Sequence, residues 1–382
     1  MRLTSGPLRA LLAGALLLLA FARLQADARE ALQRAAALVR EGRLEEAEAQ
    51  ARLALADPDT QAVACSVLGT IRFQQRRLDE SASLFEKAVA LDPSLLGAHL
   101  SLAQIQALQG QPARALDTYD RALARQPDAI VALRQAALLA EAQQQLERSL
   151  SYWLRAKKLT PDDPDVLLGF GRVCLRMDLL EDAEPALARA VALKPDDTAS
   201  EYTLAAAKVG KRDFEAARAL LERVVRRTPG DAQLQYALGA VLYTQGRLDE
   251  AFACLRESVR LQPDQLASQH YLALVARDQA KPAEAITILE KVVERYPDHA
   301  ASWEVLGTLL MSDRRYPEAE RALRQAIRLA PESVKPNYQL GLLLVRMGRK
   351  DEADQQLART KTLRQDDAAS TRLQFRLLDP NP

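Results

Sequence analysis

The chain of 382 residues has three cysteines, three histidines and only 5% aromatic residues. An odd number of cysteines cannot all pair. Cys65, Cys174 and Cys254 therefore read as small buried or half-buried hydrophobes, with no disulfide framework. His99, His270 and His299 stand at no metal-ligand spacing, and the sequence has no CxxC, no HExxH, no glycine-rich phosphate loop and no nucleophile elbow. No metal, cofactor or catalytic site is expected. Net charge is nearly lacking as well: Lys+Arg 52 against Asp+Glu 51 leaves a formal +1. That balance argues against a general affinity for nucleic acid or anionic lipid. After the first thirty residues no stretch is hydrophobic enough to cross a membrane, which leaves the N-terminal segment as the one expected membrane contact.

What the chain does have is a period. Ala47, Ser81, Ala115, Ser149, Ala183, Ala217, Ala251, Ala285, Ala319 and Ala353 follow one another at 34-residue spacing. A second column of small residues runs Ala35, Gly69, Ala103, Ala137, Gly171, Ala205, Gly239, Ala273, Gly307 and Gly341. Within one copy, Leu234, Leu238 and Leu242 recur at helical spacing, Gly246 interrupts, and Leu248 to Val259 carries a second apolar stripe before Pro263. Each unit is thus expected to be a helix-turn-helix hairpin. The small column lets the two axes approach, and Phe85, Tyr119, Trp153 and the leucines from Leu187 to Leu357 fill the space between repeats. A proline column from Pro93 to Pro331 stops each second helix. The acids that follow, Asp128, Asp162, Asp196, Asp264 and Asp298, are placed to cap the next.

These columns resemble the tetratricopeptide repeat. The ninth copy carries nearly the whole signature in Trp303, Leu306, Gly307, Ala319, Leu323, Ala326 and Pro331. The resemblance implies an all-α, right-handed superhelical solenoid of about ten repeats over residues 28–367, with first helices lining a concave groove. Residues 368–382 then form a C-terminal capping helix and tail, the helix being read over Asp366 to Leu378. The family's carboxylate clamp needs Lys and Asn at the fifth and ninth positions of a repeat. Here those pairs read, for example, Tyr202/Ala206, Tyr236/Ala240 and Glu304/Thr308, so no clamp is expected. The same positions give an aromatic column instead: Tyr202, Tyr236, His270 and Tyr338, with Tyr243 nearby. Arg134, Arg172 and Arg176 add charge to that face. Either these side chains bind a partner in the groove or they pack against neighbouring helices.

Several copies depart from the pattern. The first has Arg34 before its small residue and an early Pro58. The fourth has Gln144 where Gly110, Gly210, Gly246 and Gly348 mark turns, and Ser149 in the Ala column. Pro185 should kink or delay the fifth second helix, and Gln365 replaces the last proline. The array is expected to be weakest around the fourth and fifth copies.

The start of the chain, Met1 to Arg9, is basic and free of acids, and Ala10–Ala22 is an uncharged run. This pattern is that of a signal peptide over 1–22, with cleavage after Ala26 or an uncleaved signal anchor as alternatives. The expectation is an exported bacterial scaffold in the periplasm, or anchored to the inner membrane facing it. It would bind other proteins or peptide segments in secretion, pilus or polysaccharide-export assembly. A carbohydrate-associated module using the tyrosine column, and a recognition arm for a separate enzyme, remain open readings.

Overall fold

The structure, a computed structural model, describes residues 25–367. The leader expected over 1–22 and the cap and tail expected over 368–382 lie outside the described residues. Twenty helices and no strand occur among the described residues, in ten pairs. The described residues form two compact units that divide between Val173 and Cys174.

In unit 1 the pairs are α1 (25–40) with α2 (Leu44–Ala54), α3 (Pro58–Gln74) with α4 (Leu78–Leu91), α5 (Leu96–Leu108) with α6 (Pro112–Arg125), and α7 (Ile130–Ala142) with α8 (Leu146–Leu159). The unit boundary falls inside α9 (Pro164–Arg176). Unit 2 continues with α10 (Leu180–Leu193), α11 (Thr198–Gly210), α12 (Phe214–Arg227), α13 (Ala232–Thr244), α14 (Leu248–Leu261) and α15 (Leu266–Asp278). It ends with α16 (Pro282–Arg295), α17 (Ala300–Ser312), α18 (Tyr316–Leu329), α19 (Val334–Arg346) and α20 (Lys350–Asp367). From α3 to α8 and from α11 to α20, each first helix packs on its own second helix and each second helix on the next first.

Small residues set how close the pairs come. All ten members of the Ala/Ser column have no solvent access. The two serines are accommodated by bonding: Ser81 Oγ donates to Gly69 O at 2.6 Å and Ser149 Oγ to Ala137 O at 2.8 Å. Ser149 therefore fits its column. A methyl group added at Gly69, Gly239, Gly307 or Gly341 would lie 2.6 to 2.9 Å from Phe85, Leu255, Leu323 or Leu357. Those second-helix side chains thus fill the space against the glycine of their own repeat, a correction to their expected place between repeats.

The turns revise another expectation. The left-handed residue in the ten turns is Gly42, Arg76, Gly110, Gln144, Asp178, Arg212, Gly246, Ala280, Arg314 and Gly348, with φ from 58° to 77°. The spacing is again 34, yet only four are glycine, so Gln144 is no outlier. Gly210 is the last residue of α11, and Arg212 makes that turn. The next amide reaches back five residues in every case, as Arg247 N does to Leu242 O at 2.9 Å, so each first helix closes in a Schellman arrangement. Closure needs the backbone more than it needs glycine.

Helix starts also shift by one residue. The caps are Asp57, Asp163, Asp197 and Asp231, whose carboxylates accept from the first-turn amides of α3, α9, α11 and α13. Ala129, Gln265 and His299 occupy the cap positions after Asp128, Asp264 and Asp298. Asp196 faces Arg227 at 3.7 Å. Pro58 sits at the start of α3 and lengthens that helix to 17 residues, since proline lacks only an amide that goes unused there. Pro185 does not delay α10, which begins at Leu180 in register with the other second helices. Without a proline at 365, α20 runs 18 residues where the other second helices after α2 run 14.

Candidate partner-binding face

Counting each repeat so that its small first-helix residue is position eight, positions two, five, nine and thirteen share one helix face. The expected aromatic column lies on this face in unit 2. All but Tyr338 are engaged by the next repeat. Tyr236 is 4% exposed and meets Tyr271 edge-on at 5.8 Å. The Tyr202 hydroxyl accepts from Gln233 Nε2 at 2.7 Å. The Tyr243 hydroxyl donates to Asp278 at 2.8 Å, and its ring meets Tyr271 at 5.8 Å. Burial pushes the Tyr202 and Tyr243 phenols up to about 12 and raises Tyr236 further, so none ionises near neutrality. His270 Nδ1 lies 2.9 Å from Ser302 Oγ. Half-buried Tyr338 has the Arg364 guanidinium of the lengthened α20 over its ring at 4.9 Å. Apart from Tyr338, the column joins successive first helices; Tyr236 is buried and the other members are half-buried.

The arginines are likewise paired across repeats. Arg134 bonds Asp165 at 2.9 Å and approaches Asp163, and Arg172 makes a two-pronged contact with Glu141 at 2.9 and 2.7 Å. Arg176 is also engaged. Arginine suits such pairing because its planar fork matches a carboxylate. These residues set the repeat-to-repeat geometry and add no unpaired positive charge.

A different row stands open on the same face in unit 1: Val63 at 36% exposure, Leu108 at 59%, Val131 at 49% and Leu138 at 48%. Their positions are two, thirteen, two and nine, on α3, α5 and α7. On α3 and α5 the neighbours on this face are half-buried Ser66, Thr70 and Leu100 and exposed Gly97 and Gln104, none of them charged, and on α7 the ion-paired Arg134 lies between Val131 and Leu138. In a chain that is 27% charged, repeats two and three place no charged residue at these four positions. Sequence reasoning looked there for aromatics and charge and passed over aliphatics. The signal was available as Val, Leu, Val and Leu at positions that should face solvent.

Position four carries a second pattern missed from sequence. The donor there reaches back six residues to the carbonyl of the preceding column proline. His99 Nε2 bonds Pro93 O at 3.1 Å, Gln235 bonds Pro229 O at 3.1 Å, Trp303 Nε1 bonds Pro297 O at 2.8 Å and Asn337 bonds Pro331 O at 3.2 Å, and Gln269 bonds Pro263 O likewise. Leu133 and Leu167 have no such donor. Buried Glu201 cannot donate either and instead accepts from Arg223 at 2.5 Å and from Arg227.

Of the thiols, Cys65 and Cys174 are buried and Cys254 half-buried. Burial pushes Cys254 up to about 11 and raises Cys65, so neither is a poised nucleophile. No group of three or more metal-ligating side chains occurs among the described residues, and none of their helices is long and apolar enough to cross a membrane.

Helix pairs repeating in register, each with the same turn and the same small contact residues, define a helical-repeat scaffold. Family models for the tetratricopeptide repeat match residues 67–130, 132–198, 202–265 and 272–334, and another matches 310–376. The chain belongs to the tetratricopeptide repeat family. No curated protein matches it in sequence. Among solved structures it is similar to YrrB, described as a repeat protein with an unusual peptide-binding site (23% identity, 52% of this chain and 99% of that one, TM-score 0.44). It is also similar to pilF of Pseudomonas aeruginosa (22%, 56% and 98%, 0.47) and to the Cut9–Hcn1 assembly of the APC/C (13%, 89% and 82%, 0.49).

Proposed function

We propose that this scaffold is a non-catalytic adaptor of the bacterial envelope, exported to the periplasm, which holds an uncharged, aliphatic partner segment on the first-helix face of repeats two to four. The family supports the scaffold role. The observation that carries the binding face is the open row Val63, Leu108, Val131 and Leu138, which in repeats two and three has no charged residue beside it on that face and in repeat four has only the ion-paired Arg134. Covering such side chains stabilises a complex by about 25 cal/mol for each Å² of apolar surface removed from water. The basic start and uncharged run before Arg23 support export.

The binding test uses the full chain and fluorescent twelve-residue peptides, one set rich in Leu, Val and Ser and one rich in Glu. Anisotropy should rise with the aliphatic set and return to baseline in the Leu108→Asp, Leu138→Asp double variant. Equal affinity for both sets, or retention in the double variant, counts against this face. Export is read by fractionation with intact mass. A soluble species beginning near Arg23 supports periplasmic release, a membrane species retaining Met1 supports an anchor, and a cytosolic full-length chain overturns export. The glycan alternative rests on the tyrosines, of which Tyr202 and Tyr243 already bond Gln233 and Asp278 and Tyr236 is buried. Its test is loss of glycan retention in Tyr202→Ala and Tyr236→Ala.

A further inference from the structure

Two of the three histidines in the chain converge on one hydroxyl. His270 comes from α15, His299 is the cap residue of α17, and their Nδ1 atoms lie 2.9 and 2.7 Å from the Oγ of Ser302. Ser302 has no solvent access. The rings meet edge-on, centroids 5.1 Å apart. A hydroxyl has one hydrogen, so Ser302 donates to one ring and accepts an N–H from the other. That arrangement holds both rings while they are neutral. With both charged, two N–H donors face one oxygen, whose own hydrogen has no acceptor left among them, and two cations stand side by side.

The surroundings weigh against charge. Burial pushes His270 down to about 3, and His299, Arg277 and Lys335 add to the effect. Burial lowers His299 as well. Arg277 belongs to α15 and is bonded to Asp278 and the Tyr243 hydroxyl of α13. Lys335 comes from α19 and is bonded to Glu304 of α17 at 2.5 Å. The α14 and α16 helices pack against α15 and contribute none of the charges acting on the His270 ring. On the other side His270 touches Tyr271, which is in turn held by Tyr236 and Tyr243.

We propose that His270, Ser302 and His299 form an acid-released latch between the eighth and ninth repeats, which keeps the Tyr236–Tyr271–Tyr243 row packed while both rings are neutral and lets it open when they charge. The sign follows from linkage. Groups whose folded affinity for protons is lowered stabilise the folded state above their unfolded midpoint near 6.5 and lose that contribution as pH falls. For His270 alone, a midpoint moved from 6.5 to about 3 makes opening about 30-fold more favourable at pH 5 than at pH 7.5.

The experiment is hydrogen exchange on the full chain at pH 7.5 and pH 5, corrected for intrinsic rates. Amides of α15 and α17 should lose protection by about 30-fold or more, while those of α7 change by less than about 3-fold. In His270→Gln, whose amide still bonds Ser302 and does not titrate, the loss in α15 should fall to a few-fold. With three histidines in the chain, NMR of the ring Cε1 protons gives an independent reading, in which His270 should titrate well below 6.5. An ordinary His270 midpoint, uniform loss across α7, α15 and α17, or a full loss retained in His270→Gln would overturn the latch. Should His270→Gln fail to fold, the wild-type exchange and titration decide alone.

Discussion

Six residues with side chains hold a backbone conformation that suits glycine. A left-handed residue other than glycine costs about 1 kcal/mol from the crowding of its Cβ. Ala280 is exposed and left-handed at φ 59°. Ala280→Gly should therefore raise stability by about 0.5 kcal/mol, the gain being trimmed by glycine's greater unfolded freedom, and Gly246→Ala should lower it by about 1 kcal/mol. Urea midpoints for both variants check the pair of signs. Gly169 makes a sharper case, because an added methyl would lie 2.3 to 2.6 Å from the indole ring of buried Trp153. Gly169→Ala should cost about 2 kcal/mol by overpacking, net of its better helix propensity, seen as a lowered melting temperature. The small columns were readable from sequence because steric contact selects the residue type directly. The turn conformation was not. Packing of the two helices imposes it, and Arg76, Arg212 or Ala280 carries no mark of it.

Among elements, the donor at position four decides how firmly each first helix is tied to the turn before it. A hydrogen bond of this kind contributes about 1 kcal/mol, so Trp303→Phe, which keeps an aromatic ring but removes the N–H and part of the indole, should lose at least about that much. Hydrogen exchange gives the comparison within one molecule. Before α7 Leu133 offers no donor and Pro127 O accepts instead from the Arg155 guanidinium of α8, in a solvent-exposed bond of 3.2 Å, so amides of that turn should be less protected than those before α13, where Gln235 bonds Pro229 O. If exchange shows the fourth copy to be the weaker, as expected, the missing donor is the cause, since Gln144 and Ser149 both fit their columns. The proline column was legible. The donor six residues on was hidden because His, Gln, Trp and Asn share no hydropathy and are united only by an N–H. Second-helix starts show the same limit. Arg43, Arg77, Arg247, Arg315 and Arg349 each pair with the Glu three residues later, a recurrence visible only once the turn is placed.

For the whole molecule, charge is abundant and weakly consequential. Many ion pairs have at least one partner well open to solvent, and those open on both sides, such as Arg43 with Glu46 and Arg260 with Glu257, contribute about 0 to 1 kcal/mol each. With a net charge of +1 there is no large self-repulsion for salt to relieve. Adding 0.5 M NaCl should therefore shift the melting temperature by no more than about 2 °C, measured by calorimetry. A larger fall would mean that the less exposed pairs, Glu201 with Arg223 and Glu141 with Arg172, carry more than their share. The candidate face was half legible at this scale. Its positions followed from the period, but which of them stay open depends on whether the next repeat offers a partner, as Ser302 does for His270 and as nothing does for Leu108. The ten turns share one backbone path 34 residues apart. A deletion or duplication that joins position 212 to position 246, or any two such points, therefore meets matching ends on both sides of the seam. Recombination within the gene can lengthen or shorten this protein by whole periods without inventing a loop, which makes its length a trait open to selection and the number of copies a poor guide to ancestry.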